Sequence, residues 1–255
     1  MTNKHKKKYK ALMLDVDGTL VINHPDALPS QKVIHAIERA SKQVHVGVAT
    51  GRPLFMVHKL LDHLSLSGPC IIDGGIRIID AKSRKTLRQQ NINTEDILPV
   101  ITIAKKLGIE VDLGEEDKDV TFYEGYSLHK VMGLLTKPID ESLADIFTEQ
   151  LLTHIPTISA YKTSSYTPNK VHVGISHASA TKQHGILEVA QILGIETSEI
   201  IGVGDNHNDF PLLMACGLKV AMGNAVEDLK AIADYVAPTV EEDGVADVIE
   251  KFILK

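Results

Sequence analysis

The sequence predicts an α/β fold with a doubly wound core around a parallel sheet and an α+β domain inserted into it. Three observations predict this class. Short apolar runs alternate with segments of helical spacing in the first part of the chain, which is typical of a parallel sheet. Around residues 81–88 the sequence becomes polar and basic, and the alternation stops. It resumes at Val171 and continues to the end of the chain.

The first part of the chain predicts three core strands with helices between them. The strands are expected at residues 9–16, 45–49 and 70–72, and the helices at 31–41 and 53–64. Pro53 suits the first turn of its helix, because an N–H group there would have no partner within the helix. Asp73-Gly74-Gly75 then predicts a turn into residues 76–80, which would pair back as a hairpin.

The middle third predicts a compact α+β unit. Its helices are expected at residues 94–107 and 140–152, and its strands at 109–113, 120–123, 127–132 and 155–160. A polar stretch rich in Ser and Thr, residues 161–170, would lead back to the core.

The last third returns to the alternation of strand and helix. Strands are expected at 171–175, 199–203, 218–221 and 235–236, and helices at 181–193, 209–216 and 225–233, with a final helix after the last strand that ends at Leu254. The predicted Rossmann-like core therefore comprises residues 1–82 and 171–255, and the inserted domain comprises 83–170.

The composition is that of an ordinary globular protein and does not favour a polyanionic partner. Of the 255 residues, 44% are hydrophobic and 24% are charged, and the formal net charge is -6. This negative balance opposes nonspecific attraction to nucleic acid or anionic lipid. The basic cluster at residues 4–10 is expected to be a solvated lead-in rather than a nucleic-acid arm. We therefore expect neither a nucleic-acid nor a membrane partner.

The sequence predicts a cytoplasmic location. The apolar run after the basic cluster ends at Asp15, which makes it too short for a secretory signal. No segment approaches the roughly eighteen apolar residues of a membrane helix. Cys70 and Cys216 stand alone in apolar surroundings, so both are expected to be reduced core residues.

A candidate site lies where the predicted core strands end, because ligands of open α/β sheets bind beyond the carboxyl ends of the strands. Lys182 begins the helix after the predicted strand 171–175. The other segments at these ends are Asp15-Val16-Asp17-Gly18-Thr19-Leu20, Thr50-Gly51-Arg52 and Gly204-Asp205-Asn206-His207-Asn208-Asp209. Each of them alone is common at turns and helix caps. Together they would gather four carboxylates, a hydroxyl and an ammonium at one edge of the sheet.

These residue types suit the transfer of a phosphoryl group to an aspartate. Asp15 would be ionised at neutral pH without a base, since the pKa of a free aspartate is about 3.9. A carboxylate that approaches a phosphate dianion needs a hard cation with oxygen ligands to offset the charge. Asp15, Asp205 and a backbone carbonyl near Asp17 would supply those ligands.

The remaining polar groups suit charge stabilisation and proton transfer. Lys182 and the Thr50 hydroxyl would hold the charge on the transferring oxygens. Asp17 would protonate the leaving alcohol and later take a proton from the attacking water, a role that requires a raised pKa. Asp209 is expected to orient Lys182 or a metal-bound water rather than to bind the metal directly.

These motifs resemble those of the haloacid dehalogenase-like hydrolase superfamily. The segments DVDGTL at 15–20, ATGR at 49–52 and GDNHND at 204–209, with Lys182, are similar to its four motifs. The inserted domain, the run VAMGNA at 220–225 and the run EDGVA at 242–246 resemble the Cof-type phosphatases of subfamily IIB. Those proteins carry a large α+β cap, use magnesium and dephosphorylate sugar phosphates and related metabolites.

The resemblance implies a role for each matching position. Asp15 would be the nucleophile and Asp17 the acid/base. Phosphate binding is implied for Thr50, Gly51, Lys182 and Asn208, and metal binding for Asp15, Asp17 and Asp205. The implied activity is magnesium-dependent hydrolysis of a small phosphorylated metabolite, a sugar phosphate, through an aspartyl-phosphate. An acid at position 17 argues against a dehalogenase or a P-type ATPase.

Two alternatives stay open at the level of the sequence. A sugar phosphomutase of the same superfamily would share the cap and the first motif, and a catalytically silent binding protein would share the fold. Two features of the sequence are not part of the family pattern. Asp73-Gly74-Gly75 stands where the family commonly has Asn-Gly, and His207 occupies a variable position beside the metal loop, where it is expected to be a bystander.

The inserted domain gives little information about the substrate, and the sequence does not indicate an oligomeric state. Its polar residues near predicted strand ends are Glu124, His129, Lys130, Lys162, Ser164, Tyr166 and Asn169. Each is more simply interpreted as solvated surface.

Overall fold

The structure, a computed structural model, describes residues 9–254, so residues 4–8 of the basic cluster lie outside the described residues. The strands are β1 (Ala11–Leu14), β2 (His45–Val48), β3 (Pro69–Ile72), β4 (Arg77–Asp80), β5 (Thr86–Gln89), β6 (Val111–Gly114), β7 (Asp119–Thr121), β8 (Gly133–Thr136), β9 (Ile158–Ser164), β10 (Val171–His177), β11 (Ile200–Gly204), β12 (Leu218–Ala221) and β13 (Tyr235–Val236). The helices are α1 (Gln31–Ala40), α2 (Leu54–His63), α3 (Thr94–Lys106), α4 (Glu141–His154), α5 (Lys182–Leu193), α6 (Phe210–Ala215), α7 (Glu227–Ile232) and α8 (Gly244–Phe252).

A five-stranded parallel sheet forms the core, in the order β13-β12-β11-β1-β2. β1, an inner strand of this sheet, is buried along its whole length, as expected for a strand covered by helices on both faces. Helix α1 packs on α8 and α5 packs on α6 around this sheet. The α/β core predicted from the alternation is therefore confirmed.

The third predicted core strand is only loosely attached to this sheet. β3 joins it through a single parallel bridge between Ala49 and Ile71. Its main partner is β4, with which it forms the predicted hairpin, and β5 extends this unit to a three-stranded antiparallel sheet. The sequence analysis missed β5. Most of its residues are exposed, so the strand has no apolar alternation by which it could be recognised.

The inserted domain, called the cap below, contains a five-stranded antiparallel sheet in the order β7-β6-β8-β10-β9. Helices α3 and α4 supply apolar side chains that pack with those of the sheet in a second buried cluster, separate from that of the core. The predicted α+β character of this domain is confirmed.

The assignment of residues 171–175 to the core was wrong. β10 pairs antiparallel with β9 and β8, so it belongs to the cap sheet. The chain therefore returns to the core only at α5, and the predicted boundary at residues 170 and 171 is too early. Val173 and Ile175 alternate with polar or small residues, a pattern typical of an antiparallel strand with one packed face. The apolar residues alone predict a buried parallel strand here.

Two other strands of the cap differ from the sequence analysis. Residues 127–132 contain a short helical turn, Leu128–Lys130, and the strand follows as β8. β9 extends to Ser164, four residues beyond the predicted end, through residues that we had assigned to a polar loop. The reason lies in its environment: Tyr161 and Thr163 of β9 line a cavity between the cap and the core, so that face of the strand lacks the aliphatic residues of a packed face.

None of the helices in residues 9–254 combines the length and the apolar character that crossing a membrane requires. Cys70 and Cys216 are both buried and unpaired, as predicted from their apolar surroundings.

Candidate active site

Asp15, Thr50 and Asp205 lie together at the carboxyl edge of the core sheet. Leu14 of β1 is in register with Val48 of β2 and Val203 of β11, so the three strands end at nearly the same level. The polar residues that follow them are consequently neighbours. All three are buried, with exposed fractions of 5%, 1% and 8%.

Lys182 reaches the same place from the start of α5. The helix begins there because the Thr181 side chain accepts a hydrogen bond from the N–H of His184. The Lys182 Nζ donates to Asp15 Oδ1 at 2.5 Å and to Asp209 Oδ1 at 2.6 Å. The sequence analysis placed Lys182 correctly for a wrong reason, since the strand before α5 belongs to the cap.

The electrostatic balance of this cluster is negative. Among the described residues, three buried carboxylates, of Asp15, Asp205 and Asp209, face the ammonium of Lys182, so two negative charges would be uncompensated if all three were ionised. Burial and the charge of Asp209 raise the pKa of Asp15 to about 7, although Lys182 opposes the shift. Burial, Asp15 and Asp209 raise the pKa of Asp205 to about 9. Burial alone would lower the pKa of Lys182, but Asp15 and Asp209 outweigh it and raise that pKa.

The cluster has the charge and the oxygen ligands that a hard divalent cation requires. Ligand oxygens of Asp15, Asp205 and Asp209 lie within 4.8 Å of one another. Both oxygens of Asp209 are already engaged, one by Lys182 and the other by the backbone N–H groups of Asp205 and Asn206. Asp15 and Asp205 are therefore the side chains with lone pairs left for a metal.

Two neighbours that the sequence analysis did not single out support Asp205 and the first loop. The Thr19 hydroxyl donates to Asp205 Oδ1 at 3.0 Å. Asn224, from the VAMGNA run, donates from Nδ2 to the Gly18 carbonyl at 2.8 Å. Gly18 itself has a φ of 85°, and a Cβ there would lie 2.2 Å from Asp205. Only glycine permits this approach of the two loops.

Asp17 does not belong to the carboxylate cluster, because an arginine holds its side chain. Arg52 donates from Nε to Asp17 Oδ2 at 2.9 Å and from Nη2 to Oδ1 at 2.6 Å. The guanidinium is buried and also donates to the backbone carbonyls of His24 and Pro25. The metal role expected of Asp17 thus rests on its backbone carbonyl and stays a prediction. Sequence reasoning missed Arg52, although it lies in a strand-end loop.

A cavity of about 120 Å³ opens above these groups, between the core and the cap. On the core side it is lined by Asp15, Asp17, Asn23, Thr50, Gly51, Arg52, Pro53, Met56 and Asn208. On the cap side it is lined by Leu135, Tyr161, Thr163, Ser164, Tyr166 and His172. A larger cavity of about 540 Å³ lies beside it, between the Pro25 loop and α2, and none of the clustered carboxylates lines it.

The family model described as haloacid dehalogenase-like hydrolase matches residues 12–131 and 114–249 of the chain. The chain belongs to this family. It is an enzyme of the class that the motifs implied, a hydrolase of phosphoric monoesters, and several of its relatives are named as phosphatases.

Three similar proteins illustrate the range of this family. The chain is 28% identical to the 5-amino-6-(5-phospho-D-ribitylamino)uracil phosphatase YcsE of Bacillus subtilis, over 96% of each protein. It is 28% identical to the phosphoglycolate phosphatase of Methanopyrus kandleri, over 95% of this chain and 96% of that protein. It also resembles the solved subclass IIB sugar phosphatase BT4131, with a TM-score of 0.77 and 26% identity, over 95% of this chain and 98% of that one.

The face of the cap sheet that covers the site of this hydrolase has no carboxylate, lysine or arginine among the residues that line the cavity. Thr163 on β9 is in register with His172 on β10, and Tyr161 with Gly174, whose other neighbour is Leu135 on β8. Of the polar cap residues considered from the sequence, only Ser164 and Tyr166 line the cavity. Lys162 points to the opposite face, where it pairs with Glu141 and Asp145. The other four, Glu124, His129, Lys130 and Asn169, do not line it.

The Asp73-Gly74-Gly75 turn has a structural explanation. The Asp73 carboxylate accepts a hydrogen bond from Nε of the fully buried Arg77 at 2.7 Å. Gly74 has a φ of 69°, and a Cβ there would lie 1.8 Å from the Tyr161 hydroxyl oxygen. The acid therefore serves a buried ion pair, and the glycine makes room for a cap side chain at the cavity.

His207 and Asn208 lie next to each other but face different surroundings. His207 is exposed and stacks on Phe210, with 6.1 Å between the ring centroids. It does not line the cavity, whereas Asn208 does, together with Thr50 and Gly51.

Proposed function

We propose that the chain is a magnesium-dependent phosphatase that hydrolyses a small sugar phosphate through an aspartyl-phosphate on Asp15. One observation carries the proposal: a buried lysine bridges Asp15 and Asp209 beside Asp205, at the floor of a small cavity closed by the cap. Three carboxylates that share one ammonium suit a site at which a divalent cation and a phosphate dianion complete the charge balance.

Magnesium is the cation that best fits the donor set, since it prefers carboxylate and carbonyl oxygens. Asp15 and Asp205 would hold it, with a carbonyl oxygen of the first loop. When bound, the cation would offset the charge of the phosphate and align it with Asp15.

Asp15 would act as the nucleophile. A carboxylate oxygen of Asp15 attacks phosphorus while the bond from phosphorus to the leaving oxygen breaks, and Asp17 gives that oxygen a proton. Lys182, the Thr50 hydroxyl and the Gly51 loop, with Asn208, would hold the oxygens of the transferring group. Asp17 would then accept a proton from the water that attacks the aspartyl-phosphate and releases phosphate.

The lining of the cavity favours a neutral leaving group with several hydroxyls. The cap contributes hydroxyls, an imidazole and one apolar side chain, and no carboxylate. Among the lining residues the arginine, Arg52, is already paired with Asp17. A sugar fits this lining better than the carboxylate of phosphoglycolate, and the similarity to the sugar phosphatase BT4131 supports the same substrate class.

The same feature favours hydrolysis over a phosphomutase reaction. A mutase must hold a bisphosphate in either orientation, which calls for a second phosphate site in the cap. Among the residues that line the cavity, those from the cap include no lysine or arginine. A silent binding protein is disfavoured by the complete set of nucleophile, lysine and acids.

The experiment is phosphate release from hexose phosphates, phosphoglycolate, a hexose bisphosphate and 4-nitrophenyl phosphate, with and without magnesium. We expect magnesium-dependent turnover, fastest for a hexose phosphate and lost in Asp15→Asn. Asp228→Asn, an exposed acid on α7, is the matched control and should retain full activity. Turnover by Asp15→Asn would refute the nucleophile. A catalytic requirement for the bisphosphate would identify a mutase instead.

A further inference from the structure

The carboxylate of Asp17 is contacted from both domains. From the core, Arg52 donates to both of its oxygens, at 2.9 and 2.6 Å. From the cap, the Tyr166 hydroxyl donates to Asp17 Oδ1 at 3.4 Å. No other cap side chain among the described residues has a hydrogen bond to a residue of the first motif, DVDGTL.

The arginine contact is fixed within the core. Arg52 also donates from Nη2 to the His24 carbonyl and from Nη1 to the Pro25 carbonyl, each at 3.1 Å, and only 6% of its side chain is exposed. The hydrogen bonds from this guanidinium to Asp17, His24 and Pro25 all stay within the core, and the Tyr166 hydroxyl of the cap also contacts it. The two bonds from Arg52 to Asp17 therefore join residues of the core alone.

The tyrosine contact depends on the cap. Tyr166 follows two residues that also touch the core: the Ser164 hydroxyl accepts from Asn206 Nδ2 at 3.0 Å, and the Ser165 carbonyl accepts from Asn23 Nδ2 at 3.4 Å. Residues 164–166 thus contact the loops that follow β1 and β11. Tyr166 is 42% exposed and is not part of the apolar cluster of the cap, so packing alone does not account for its position.

We propose that Tyr166 is a positioning residue for Asp17. The cap brings Tyr166 to the site, where its hydroxyl contacts the Asp17 carboxylate that Arg52 holds from the core. The proposal rests on the phosphatase function proposed above. Tyr166 keeps its proton throughout and only donates a hydrogen bond. The proton that moves is that of Asp17, which passes to the leaving oxygen as the bond to phosphorus breaks and the bond from phosphorus to Asp15 forms.

This role predicts an effect that depends on the leaving group. An alkoxide leaving group needs the proton of Asp17, whereas 4-nitrophenolate leaves without one. In Tyr166→Phe we expect kcat/KM to fall roughly ten-fold for a hexose phosphate, which is a part of the usual rate effect of a general acid. For 4-nitrophenyl phosphate we expect a fall of less than about two-fold. The ratio of the two values, measured on one preparation, does not depend on the fraction of enzyme that is folded.

The experiment measures kcat/KM for these two substrates and for phenyl phosphates of intermediate leaving-group pKa, in the full-length chain with magnesium. The matched control is Tyr123→Phe, another cap tyrosine, 60% exposed and outside the cavity lining. We expect a steeper dependence on leaving-group pKa in Tyr166→Phe than in the wild type, and no change in Tyr123→Phe.

A double-mutant cycle separates positioning from general support of the fold. If Tyr166 acts through Asp17, Tyr166→Phe should cause no further loss in an Asp17→Asn background. An equal loss in both backgrounds, or an equal loss for all leaving groups, would overturn the role of Tyr166. Failure of the wild type to release phosphate from any of these esters would instead refute the phosphatase function on which the proposal rests.

Discussion

The two sides of the active-site cavity are built on opposite principles. On the core side, Asp15, Lys182 and Asp209 form a buried chain of charges with contacts of 2.5 and 2.6 Å. On the cap side, the groups are neutral hydroxyls and an imidazole on one face of a sheet. The charged side is suited to a phosphoryl group, which every substrate of such an enzyme shares. The neutral side meets the part of the substrate that varies.

This difference has consequences for stability as well as for chemistry. A buried charge loses its hydration and depends on its partner, so the removal of one member leaves the others uncompensated. A neutral hydroxyl at a water-filled cavity has no such dependence. Substitutions on the core side should therefore affect both folding and catalysis, and substitutions on the cap side should affect the choice of substrate.

The largest expected effect follows the loss of Lys182. Lys182→Met removes the ammonium that pairs with Asp15 and Asp209, so we expect phosphate release to fall roughly 10³-fold. We also expect the metal-free protein to lose roughly 3 to 5 kcal/mol of unfolding free energy. Activity assays and urea unfolding measure the two effects. Lys42→Met, at an exposed position, should change neither. Unchanged stability of Lys182→Met would contradict the charge balance described here.

The buried pair of Asp73 and Arg77 tests whether buried charges away from the chemistry behave in the same way. Arg77 is completely buried, whereas its second acidic partner, Glu116, is 68% exposed. Asp73→Asn should lower the unfolding free energy by about 3 kcal/mol, and Glu116→Gln by less than about 1 kcal/mol. Urea unfolding of the two variants gives the comparison directly. Equal losses of unfolding free energy in the two variants would show that burial of the ion pair does not determine how much stability is lost.

Magnesium should stabilise the protein more at high pH than at low pH. The pKa values of Asp15 and Asp205 are raised to about 7 and about 9 in the metal-free fold. Their contribution to stability is complete below the ordinary aspartate pKa and is lost as the pH rises through the raised values. A metal replaces these protons, so its effect on Tm should be larger at about pH 8 than at about pH 6.

Thermal unfolding with and without magnesium at the two pH values measures this effect. Asp205→Asn should remove most of the magnesium-dependent increase in Tm, since Asp205 is one of the two side chains with free lone pairs. An increase in Tm of the same size at both pH values would argue that the carboxyl groups with raised pKa values, those of Asp15 and Asp205, do not bind the metal.

The smallest effect is expected on the cap side. Thr163→Val removes a hydroxyl from the cap face of the cavity, and this hydroxyl would form a hydrogen bond with a hydroxyl of the sugar. The value of kcat/KM for the preferred sugar phosphate should therefore fall about ten-fold. For 4-nitrophenyl phosphate we expect less than a two-fold change, on the order of experimental scatter. Thr102→Val, on the exposed side of α3, is the control. An equal loss for both substrates would remove the distinction between the two sides.

The sequence predicted the charged side far better than the neutral side, for a physical reason. Charges at the ends of buried strands are unusual, and the parallel register brings Asp15, Thr50 and Asp205 together once the strands are recognised. The cap residues Thr163 and His172 lie on strands whose polar face looks like an ordinary solvated face. A single sequence does not distinguish a face that lines a cavity from one that meets bulk water.

Two errors of the sequence analysis have different origins. β10 was assigned to the core because its apolar residues were counted and their alternation was not. Arg52 received no role because an arginine in a loop is usually solvated, and its burial arises only when the Asp17 loop folds against it. For Arg52 the missing information was a tertiary neighbour, which local sequence does not contain, whereas the alternation of β10 is visible in the sequence itself.

The most direct test of the central claim is to locate the phosphoryl group during turnover. The measurement is mass spectrometry of peptides from acid-quenched Asp17→Asn enzyme mixed with 4-nitrophenyl phosphate and magnesium, since this variant should form the intermediate and hydrolyse it slowly. The account predicts one added phosphoryl group on the peptide that contains Asp15, and none when Asp15→Asn is also present. A phosphoryl group on another residue, or phosphate release from Asp15→Asn at the wild-type rate, would contradict it.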